Sequence, residues 1–268
     1  MEPDRTAEPP RAAVLLIGDE LLSGKIRDAN GHFLAQVLRR RGMALVEIRT
    51  VGDALADIGQ ALLDLAARAS YVFTSGGVGP THDDRTLEAI AAATHRPLVR
   101  HPEMAAELAQ HYGDRATEAA MSMADLPQGT TLCAGPGWPV LRLDLEAPSK
   151  CRVYILPGVP PLLRAKIERL EATEGELPQA GGWHLVEVHT SLEEHRLAPV
   201  LDAVLEEFPA VQLGSYPRWT REEDGRIRLR VRVTVEGPIE LASQVDAARE
   251  ALLGRLPADA IVDNDAPA

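Results

Sequence analysis

Short apolar runs that alternate with helical patterns most constrain the fold of this chain. Residues 12–17, Ala-Ala-Val-Leu-Leu-Ile, form a continuous apolar run, which is typical of a strand covered on both faces. Residues 44–51 and 71–74 are predicted as further strands, and each is followed by a helical pattern or a turn into one. Strands that alternate with helices of this length form right-handed crossovers. The sequence therefore predicts an α/β fold with a three-layer, mainly parallel sheet.

A glycine-rich turn follows the strand at residues 71–74. Residues 75–79, Ser-Gly-Gly-Val-Gly, give the backbone the freedom to turn tightly and to bring its N–H groups close to a ligand. A helical pattern begins a few residues later, and a helix N-terminus adds to the attraction for an anion. The turn therefore predicts a phosphate cradle. The residues predicted to bind phosphate in it are Ser75, Gly76, Gly77 and Gly79.

Two acidic side chains stand directly behind this turn. Asp83 and Asp84 lie where the helix is expected to begin, and Thr86 is expected in its first turn. One interpretation is structural, because helix starts often carry a capping Asp. However, two carboxylates would repel a phosphate held by the turn. A divalent cation such as Mg²⁺ on Asp84, and on Asp83, removes that conflict, because Mg²⁺ binds through one or two carboxylates together with phosphate oxygens.

A second acidic pair follows the first predicted strand. Asp19 and Glu20 come directly after residues 12–17, and open parallel sheets bind ligands at the carboxyl ends of their strands. These acids are therefore candidates for the same site. A surface loop with solvated charges is the alternative interpretation, and the residues alone do not separate the two.

The chain divides into two predicted domains. Residues 1–10 are charged and rich in proline, as in a disordered tail. A first domain is predicted at 11–174 and a second at 183–263, after a polar segment that contains glycine. The second shows a βαββαβ order, which predicts a small ferredoxin-like α+β domain. In its strand at 226–233, arginines alternate with apolar residues, which favours a solvent-facing sheet surface or a docking surface.

Composition excludes several classes of function. The chain has 268 residues and a formal charge of −12, and this acidic balance argues against binding to nucleic acid. No apolar run has the length of a membrane span, so we expect a cytoplasmic protein without a membrane partner. Cys133 and Cys151 lie in apolar runs and are expected to pack as small hydrophobic residues.

Three motifs in order resemble those of the MoaB/Mog-type molybdopterin-binding domain. They are residues 18–24 with Asp28 and Asn30, residues 76–86, and residues 156–160. Together they cover about residues 11–170. The fuller match is to the N-terminal part of CinA and to the molybdopterin-binding-like domain of FAD synthase, since residues 197–201 and 213–219 are similar to the segment that follows that domain in FAD synthase. The activities of CinA's C-terminal domain and of FAD synthase's reductase-like domain are not expected.

The resemblance implies metal-dependent chemistry at a phosphoanhydride beside AMP. It implies a nucleotide diphosphatase that uses Mg²⁺, Mn²⁺ or Co²⁺ to hydrolyse an FAD- or ADP-ribose-type dinucleotide and to release AMP. It assigns Asp84 to the metal-binding or catalytic aspartate and Asp19 and Glu20 to the acids of the first loop. Thr81, Thr86 and Gly158 join the glycines as expected nucleotide- or phosphate-binding positions.

Two other functions stay open at this stage. The first is a module that binds a nucleotide or pterin without turnover, and the second is a molybdopterin adenylyltransferase. It departs from the CinA pattern in the short region 133–140 and at Pro161-Leu162, and both positions shape the ligand pocket. Because proteins with this domain often associate, we expect a homo-oligomer, a dimer or a trimer.

Overall fold

A computed structural model describes residues 9–133, 139–221 and 225–262, in two compact units, 1–180 and 181–268. The boundary between the units lies inside the interval that the sequence leaves between its two predicted domains. Most of the predicted tail lies outside the described residues. Pro10 is tied to the fold, because its carbonyl accepts a hydrogen bond from the N–H of Ala44 at 2.9 Å.

The first unit alternates strands and helices, as the apolar runs predict. Its described elements are β1 (Arg11–Ile17), α1 (Asp19–Leu22), α2 (Asn30–Arg40), β2 (Ala44–Val51), α3 (Leu55–Ala66), β3 (Tyr71–Ser75), α4 (Thr86–Ala93), β4 (Leu98–Arg100), α5 (Pro102–Tyr112), α6 (Glu118–Met121), β5 (Asp125–Pro127), β6 (Thr131–Cys133), β7 (Val140–Leu145), β8 (Cys151–Leu156) and α7 (Pro160–Ala172).

Six of these strands form one sheet in the described part of the unit, in the order β2-β1-β3-β8-β7-β6. Strands β2, β1, β3 and β8 run parallel, whereas β7 is antiparallel to β8 and β6 to β7. Strands β4 and β5 form a separate antiparallel pair. The prediction of a mainly parallel sheet is confirmed, and the carboxyl ends of β1, β3 and β8 are neighbours at one edge.

Helices cover both faces of the sheet and make it the middle of three layers. Alternate residues of β1 point to opposite faces: Leu15 packs in a core with α3, α4 and α5, and Leu16 packs in a core with α2 and α7. Phe73 and Tyr154 stack in the second core, with ring centroids 5.2 Å apart. Burial of each such side chain contributes about 1.5–3 kcal/mol, so both faces of the sheet hold the unit together.

Several local predictions in this unit are wrong. The sequence places Asp53 before a helical pattern and predicts that it caps this helix. It does not, because α3 begins at Leu55 after Ala54, which forms no side-chain cap. The sequence also predicts one helix over 115–124, but it is divided, because the side chain of Thr117 caps a new short helix by accepting from the N–H of Ala120. The pair of strands β4 and β5 was not predicted. Each has only three residues, which is too few to show a periodic pattern.

The second unit has an antiparallel sheet in the order β10-β11-β9. Its described elements are β9 (Trp183–Thr190), α8 (Glu194–Glu207), β10 (Gln212–Arg221), β11 (Ile227–Pro238) and α9 (Ala242–Arg255). The end strand predicted at 260–262 is reduced to one bridge between Thr190 and Ile261. The order of the other elements is the predicted one, and the core consists of residues of this unit alone, including Val231, Val233 and Leu252.

Candidate functional site

A cleft of about 1440 Å³ opens at the carboxyl ends of β1, β3 and β8. This is the edge at which open parallel sheets bind ligands. Eight of the residues that the sequence predicts for the site line this cleft. They are Glu20, Ser75, Gly76, Gly77, Gly79, Asp83, Asp84 and Gly158. Three predicted residues, Asp19, Thr81 and Thr86, are not among its lining residues.

The glycine loop between β3 and α4 is fixed by contacts that only glycine permits. Gly76 has φ 114° and Gly77 has φ 64°, in the region that favours glycine. A Cβ on Gly76 would collide with the carbonyl oxygen of Ile17, and one on Gly77 with the hydroxyl of Thr86. The loop therefore lies directly on β1 and on the first turn of α4.

The amides of this loop divide into two groups. The N–H of Gly76 donates to the carbonyl of Leu156 at 3.1 Å, so it fastens the loop to β8 and does not face a ligand. For the N–H groups of Gly77, Val78 and Gly79, the described part of the chain provides no acceptor. These three successive amides are the part of the loop that is able to hold an anion.

Thr86 supports the loop from below. Its side chain is fully buried, its hydroxyl donates to the carbonyl of Gly76 at 2.9 Å, and its N–H donates to the carbonyl of Gly77 at 2.9 Å. Both polar groups of Thr86 therefore hold the glycine loop in place. In this structure Thr86 positions the loop, and it is not among the residues that line the cleft.

Asp83 and Asp84 are brought together by Thr81. The hydroxyl of Thr81 lies 2.6 Å from Oδ1 of Asp83 and 2.5 Å from Oδ2 of Asp84. The N–H of Thr81 also donates to Oδ2 of Asp84 at 2.9 Å. Helix α4 begins only at Thr86, after Arg85, so Asp84 closes a tight turn and is not the helix cap. The hydrogen bond from Thr81, with one from its own backbone N–H, lowers the pKa of Asp83.

The side chains of the two acidic residues in the first loop, Asp19 and Glu20, point in different directions. Asp19 faces the end of β2: its N–H donates to Oδ2 of Asp53 at 3.0 Å, and its Oδ1 accepts from the N–H of Asp53 at 3.3 Å. The carboxylate of Glu20 lies over Gly18, where an added Cβ would overlap it. Glu20 lines the cleft and is half-buried. The structure therefore brings Glu20, but not Asp19, to the same cleft as Asp83 and Asp84.

The carboxylates that line the cleft suit a metal site with few protein ligands. Within the described ranges, no group of three or more His, Cys, Asp or Glu side chains is arranged to hold a metal ion. A site enclosed by protein ligands is therefore not present there. The paired carboxylates of Asp83 and Asp84 do fit a Mg²⁺-type ion, which uses one or two carboxylates and takes its remaining ligands from water and phosphate.

Asn30 joins the two loops that form the floor of the cleft. Its Nδ2 donates to Oγ of Ser75 at 2.9 Å and to the carbonyl of Gly158 at 2.7 Å. Asp28 holds the start of α2 by accepting from the N–H groups of Asn30 and Gly31. The sequence motif includes Asn30, but only the folded chain shows that it connects β3 to the turn after β8.

A family described as "Probable molybdopterin binding domain" matches residues 13–172. The chain belongs to this family. A second description, "FAD synthase, middle domain", matches residues 182–265. The predicted MoaB/Mog-type resemblance is therefore confirmed, and the cleft lies in the molybdopterin-binding domain.

Similar proteins agree with both matches. A "Probable FAD synthase" of Caenorhabditis elegans is 28% identical over 91% of this chain and 50% of its own length. A "CinA-like protein" of Anaeromyxobacter dehalogenans is 32% identical over 90% of this chain and 58% of its own length. The chain thus spans between half and three fifths of the length of these two proteins.

A solved structure supports the fold of the molybdopterin-binding domain. The protein CinA from Thermoplasma acidophilum, whose function is described as unknown, has a TM-score of 0.56 and 29% sequence identity to this chain. It covers 60% of this chain, and the match takes in 97% of that protein. The shared part has the extent of one domain.

Basic residues that the sequence did not predict for the site also line the cleft. They include Arg27, which precedes α2, and Lys166 and Arg169 on α7. Burial, and to a lesser extent the nearby charge of Arg169, lowers the pKa of Lys166 to about 8. The signal was in the sequence: Leu163, Ile167 and Leu170 form the buried stripe of α7, so Lys166 and Arg169 must lie beside that stripe.

The described residues contain no helix with the length and apolar character that a bilayer crossing requires.

Proposed function

We propose that this protein hydrolyses the phosphoanhydride of an adenylylated dinucleotide diphosphate, of the FAD or ADP-ribose type, with the help of a divalent metal ion. The proposal rests on one observation: three loop amides suited to a phosphate and the carboxylates of Asp83 and Asp84 line one cleft. Phosphate and carboxylates repel each other unless a cation lies between them. A ligand that brings phosphate to this cleft together with a hard cation satisfies both groups.

The glycine loop would hold one phosphate of the ligand. The amides of Gly77, Val78 and Gly79 supply fixed donors, and Thr86 keeps them in place from below. Fixed donors stabilise charge on a phosphoryl group without having to reorganise during the reaction. Asn30 holds Ser75 and Gly158 on either side of the floor of the cleft, which sets the width available to the ligand.

Asp84, with Asp83, would hold the metal ion, because Thr81 fixes Asp84 and the lowered pKa of Asp83 keeps its carboxylate ionised. When bound, Mg²⁺, Mn²⁺ or Co²⁺ would supply Lewis-acid charge neutralisation and a more acidic water. Glu20 is the acid that would accept the proton of the attacking water, since it faces the cleft. Asp19 would act indirectly, by tying the loop of Glu20 to Asp53.

The reaction balances without a further reactant. The oxygen of water forms a bond to one phosphorus, the bond from that phosphorus to the bridging oxygen breaks, and the bridging oxygen leaves with the other phosphate. FAD and water give AMP and FMN, and ADP-ribose and water give AMP and ribose 5-phosphate. One proton of the water passes to Glu20 and then to solvent.

The test is a screen of the purified protein for AMP release. FAD, ADP-ribose and NAD are each incubated with Mg²⁺, Mn²⁺ or Co²⁺, and AMP is measured by chromatography, with a chelator as the control. We expect AMP from at least one substrate, and we expect the chelator to abolish it. Absence of AMP from every substrate and metal combination would overturn the hydrolase proposal.

The family match favours one alternative, a pterin ligand. The domain is described by molybdopterin binding, so the same cleft is a candidate to hold a pterin or nucleotide without turnover, or to transfer an adenylyl group to a pterin. Binding of a pterin without release of AMP from any dinucleotide would favour the binding module. Consumption of ATP only in the presence of a pterin would favour the transferase. We rank the transferase lower because the second unit matches the middle domain of FAD synthase.

A further inference from the structure

The wall of the cleft formed by α7 has a chemistry that the proposed function does not yet use. Leu162, Ala165, Lys166 and Arg169 all line the cleft, and their spacing of three and four residues places them on one face of the helix. The neighbouring stripe of α7 is buried in the core. This burial fixes the rotation of α7 about its axis and holds Lys166 and Arg169 toward the cavity.

Holding two cations on one face of a partly buried helix is unfavourable in itself. Lys166 and Arg169 are one turn apart and both half-buried, so each charge raises the free energy of the other. The groups near the ammonium include Arg169 from α7 and Cys133 from β6, and Lys166 donates to the carbonyl of Pro139. The pKa of Cys133 is raised to about 11 by burial, so this thiol is neutral at pH 8. An anion between the two cations would relieve their repulsion.

The acids predicted for the site and the cations of α7 lie on different walls of the cleft, and Arg27, between α1 and α2, is a further basic residue of the lining. Glu20, Asp83 and Asp84 come from the loops after β1 and β3, whereas Lys166 and Arg169 come from the helix after β8. A ligand with a single phosphate satisfies only one of these regions. A diphosphate offers one phosphate to the glycine loop and a second to α7.

We propose that Lys166 and Arg169 form a second phosphate subsite, which makes the cleft selective for ligands that carry a diphosphate over ligands that carry one phosphate. This inference rests on the proposed function only in that the glycine loop takes the first phosphate. Lys166 supplies a compact charge and Arg169 a planar fork of donors, which together suit a phosphate. In a dinucleotide, the subsite receives the phosphate that does not remain with AMP.

The experiment compares the affinities of ADP and AMP by calorimetry in the presence of Mg²⁺. Lys166→Met keeps the length and the apolar stem of the side chain without its charge, and Arg169→Gln removes the second cation. Arg164→Gln is the matched control, because Arg164 is also on α7 but stacks over Phe33, 5.2 Å from the ring centre. We expect each cleft variant to lose at least about tenfold of the preference for ADP over AMP, and the control to keep that preference.

An unchanged preference in both Lys166→Met and Arg169→Gln would overturn the subsite, and so would an equal loss in Arg164→Gln. If wild-type protein binds neither nucleotide, the proposed nucleotide substrate fails, and the subsite is tested by itself with inorganic pyrophosphate.

The sequence has three lysines, Lys25, Lys150 and Lys166, and the first two are exposed. Acylation at pH 8, followed by mass spectrometry of each lysine, should show Lys166 protected by pyrophosphate and the other two unaffected. Equal labelling of Lys166 with and without pyrophosphate would then reject the subsite.

Discussion

Asp84 closes a turn in the structure, and we propose that it also holds a metal ion, so a substitution must separate these two roles. Its Oδ2 accepts from the N–H and the hydroxyl of Thr81, which closes the turn behind the glycine loop. An alanine at this position would remove that acceptor and disturb the loop. Asparagine keeps an oxygen for the N–H of Thr81 and removes only the negative charge, so it tests the charge alone.

We predict that Asp84→Asn lowers metal-dependent AMP release by on the order of 100-fold or more, because the charge that would hold the ion is lost. The melting temperature should change little, because the turn keeps its hydrogen bond. Activity is measured by AMP release and folding by thermal unfolding. Asp57→Asn is the control, since Asp57 is exposed in the first turn of α3 and does not line the cleft. Full turnover in a folded Asp84→Asn protein would exclude Asp84 as metal ligand.

Lys166 predicts a pH dependence of stability. Burial and Arg169 lower its pKa from 10.5 to about 8, so between these values the unfolded chain binds a proton that the folded chain does not. Stability therefore rises with pH across this interval. The contribution reaches about 3 kcal/mol at most. Urea unfolding from pH 7 to 10.5 should show this rise in the wild type relative to Lys166→Met. Parallel curves for the two proteins would contradict the lowered pKa.

Apart from Glu20 and Gly158, the predicted site residues that line the cleft lie close together along the chain. The glycine loop and Asp83-Asp84 fall within ten residues, so their proximity follows from local chemistry. Asn30, Lys166 and Arg169 reach the cleft only because the parallel sheet places the ends of β1, β3 and β8 side by side. Asp19 also lies at a strand end, but it bonds to Asp53 and does not line the cleft. Position at a strand end does not decide the direction in which a side chain points.

The glycine loop gives the sharpest prediction for a single element. In Gly76→Ala the new Cβ would overlap the carbonyl oxygen of Ile17, at a backbone φ of 114°. We expect the free energy of unfolding to fall by more than about 3 kcal/mol, since backbone strain and overlap add. Gly113→Ala is the matched control: Gly113 also has a positive φ, of 52°, but nothing lies within 4 Å of an added Cβ. That variant should lose about 1 kcal/mol. Equal losses in urea unfolding would show that the close approach does not matter.

Strands that are long enough to show an apolar run are predicted best, because such a run needs no knowledge of the rest of the fold. The structure places β1, which is buried on both faces, at Arg11–Ile17 and the partly exposed edge strand β2 at Ala44–Val51, each within one residue of its predicted bounds. The pair β4 and β5 fails for the opposite reason. Residues Leu98 and Val99 are each 41% exposed, so pairing between two short segments, and not burial, makes them strands.

At the scale of the whole molecule, association is the least direct prediction. The resemblance to the MoaB/Mog family implies a homo-oligomer, and β11 in the second unit adds exposed residues such as Ile227, which is 70% exposed. We expect a dimer or a trimer. Light scattering at micromolar concentration measures the mass, and a monomer mass would contradict the prediction.

The two units have separate cores, and this leads to a prediction about folding. Every buried residue of the third core lies between Val188 and Ala260, whereas the cores of the first unit contain no residue beyond Leu177. A unit with its own core is able to fold alone. We therefore expect residues 181–268, produced by themselves, to unfold in one cooperative urea transition. Val233→Ala, which removes two buried methyl groups from that core, should lower the stability of the fragment by about 2–4 kcal/mol. A fragment that unfolds without a transition, and binds a hydrophobic dye before urea is added, would show that the second unit depends on the first.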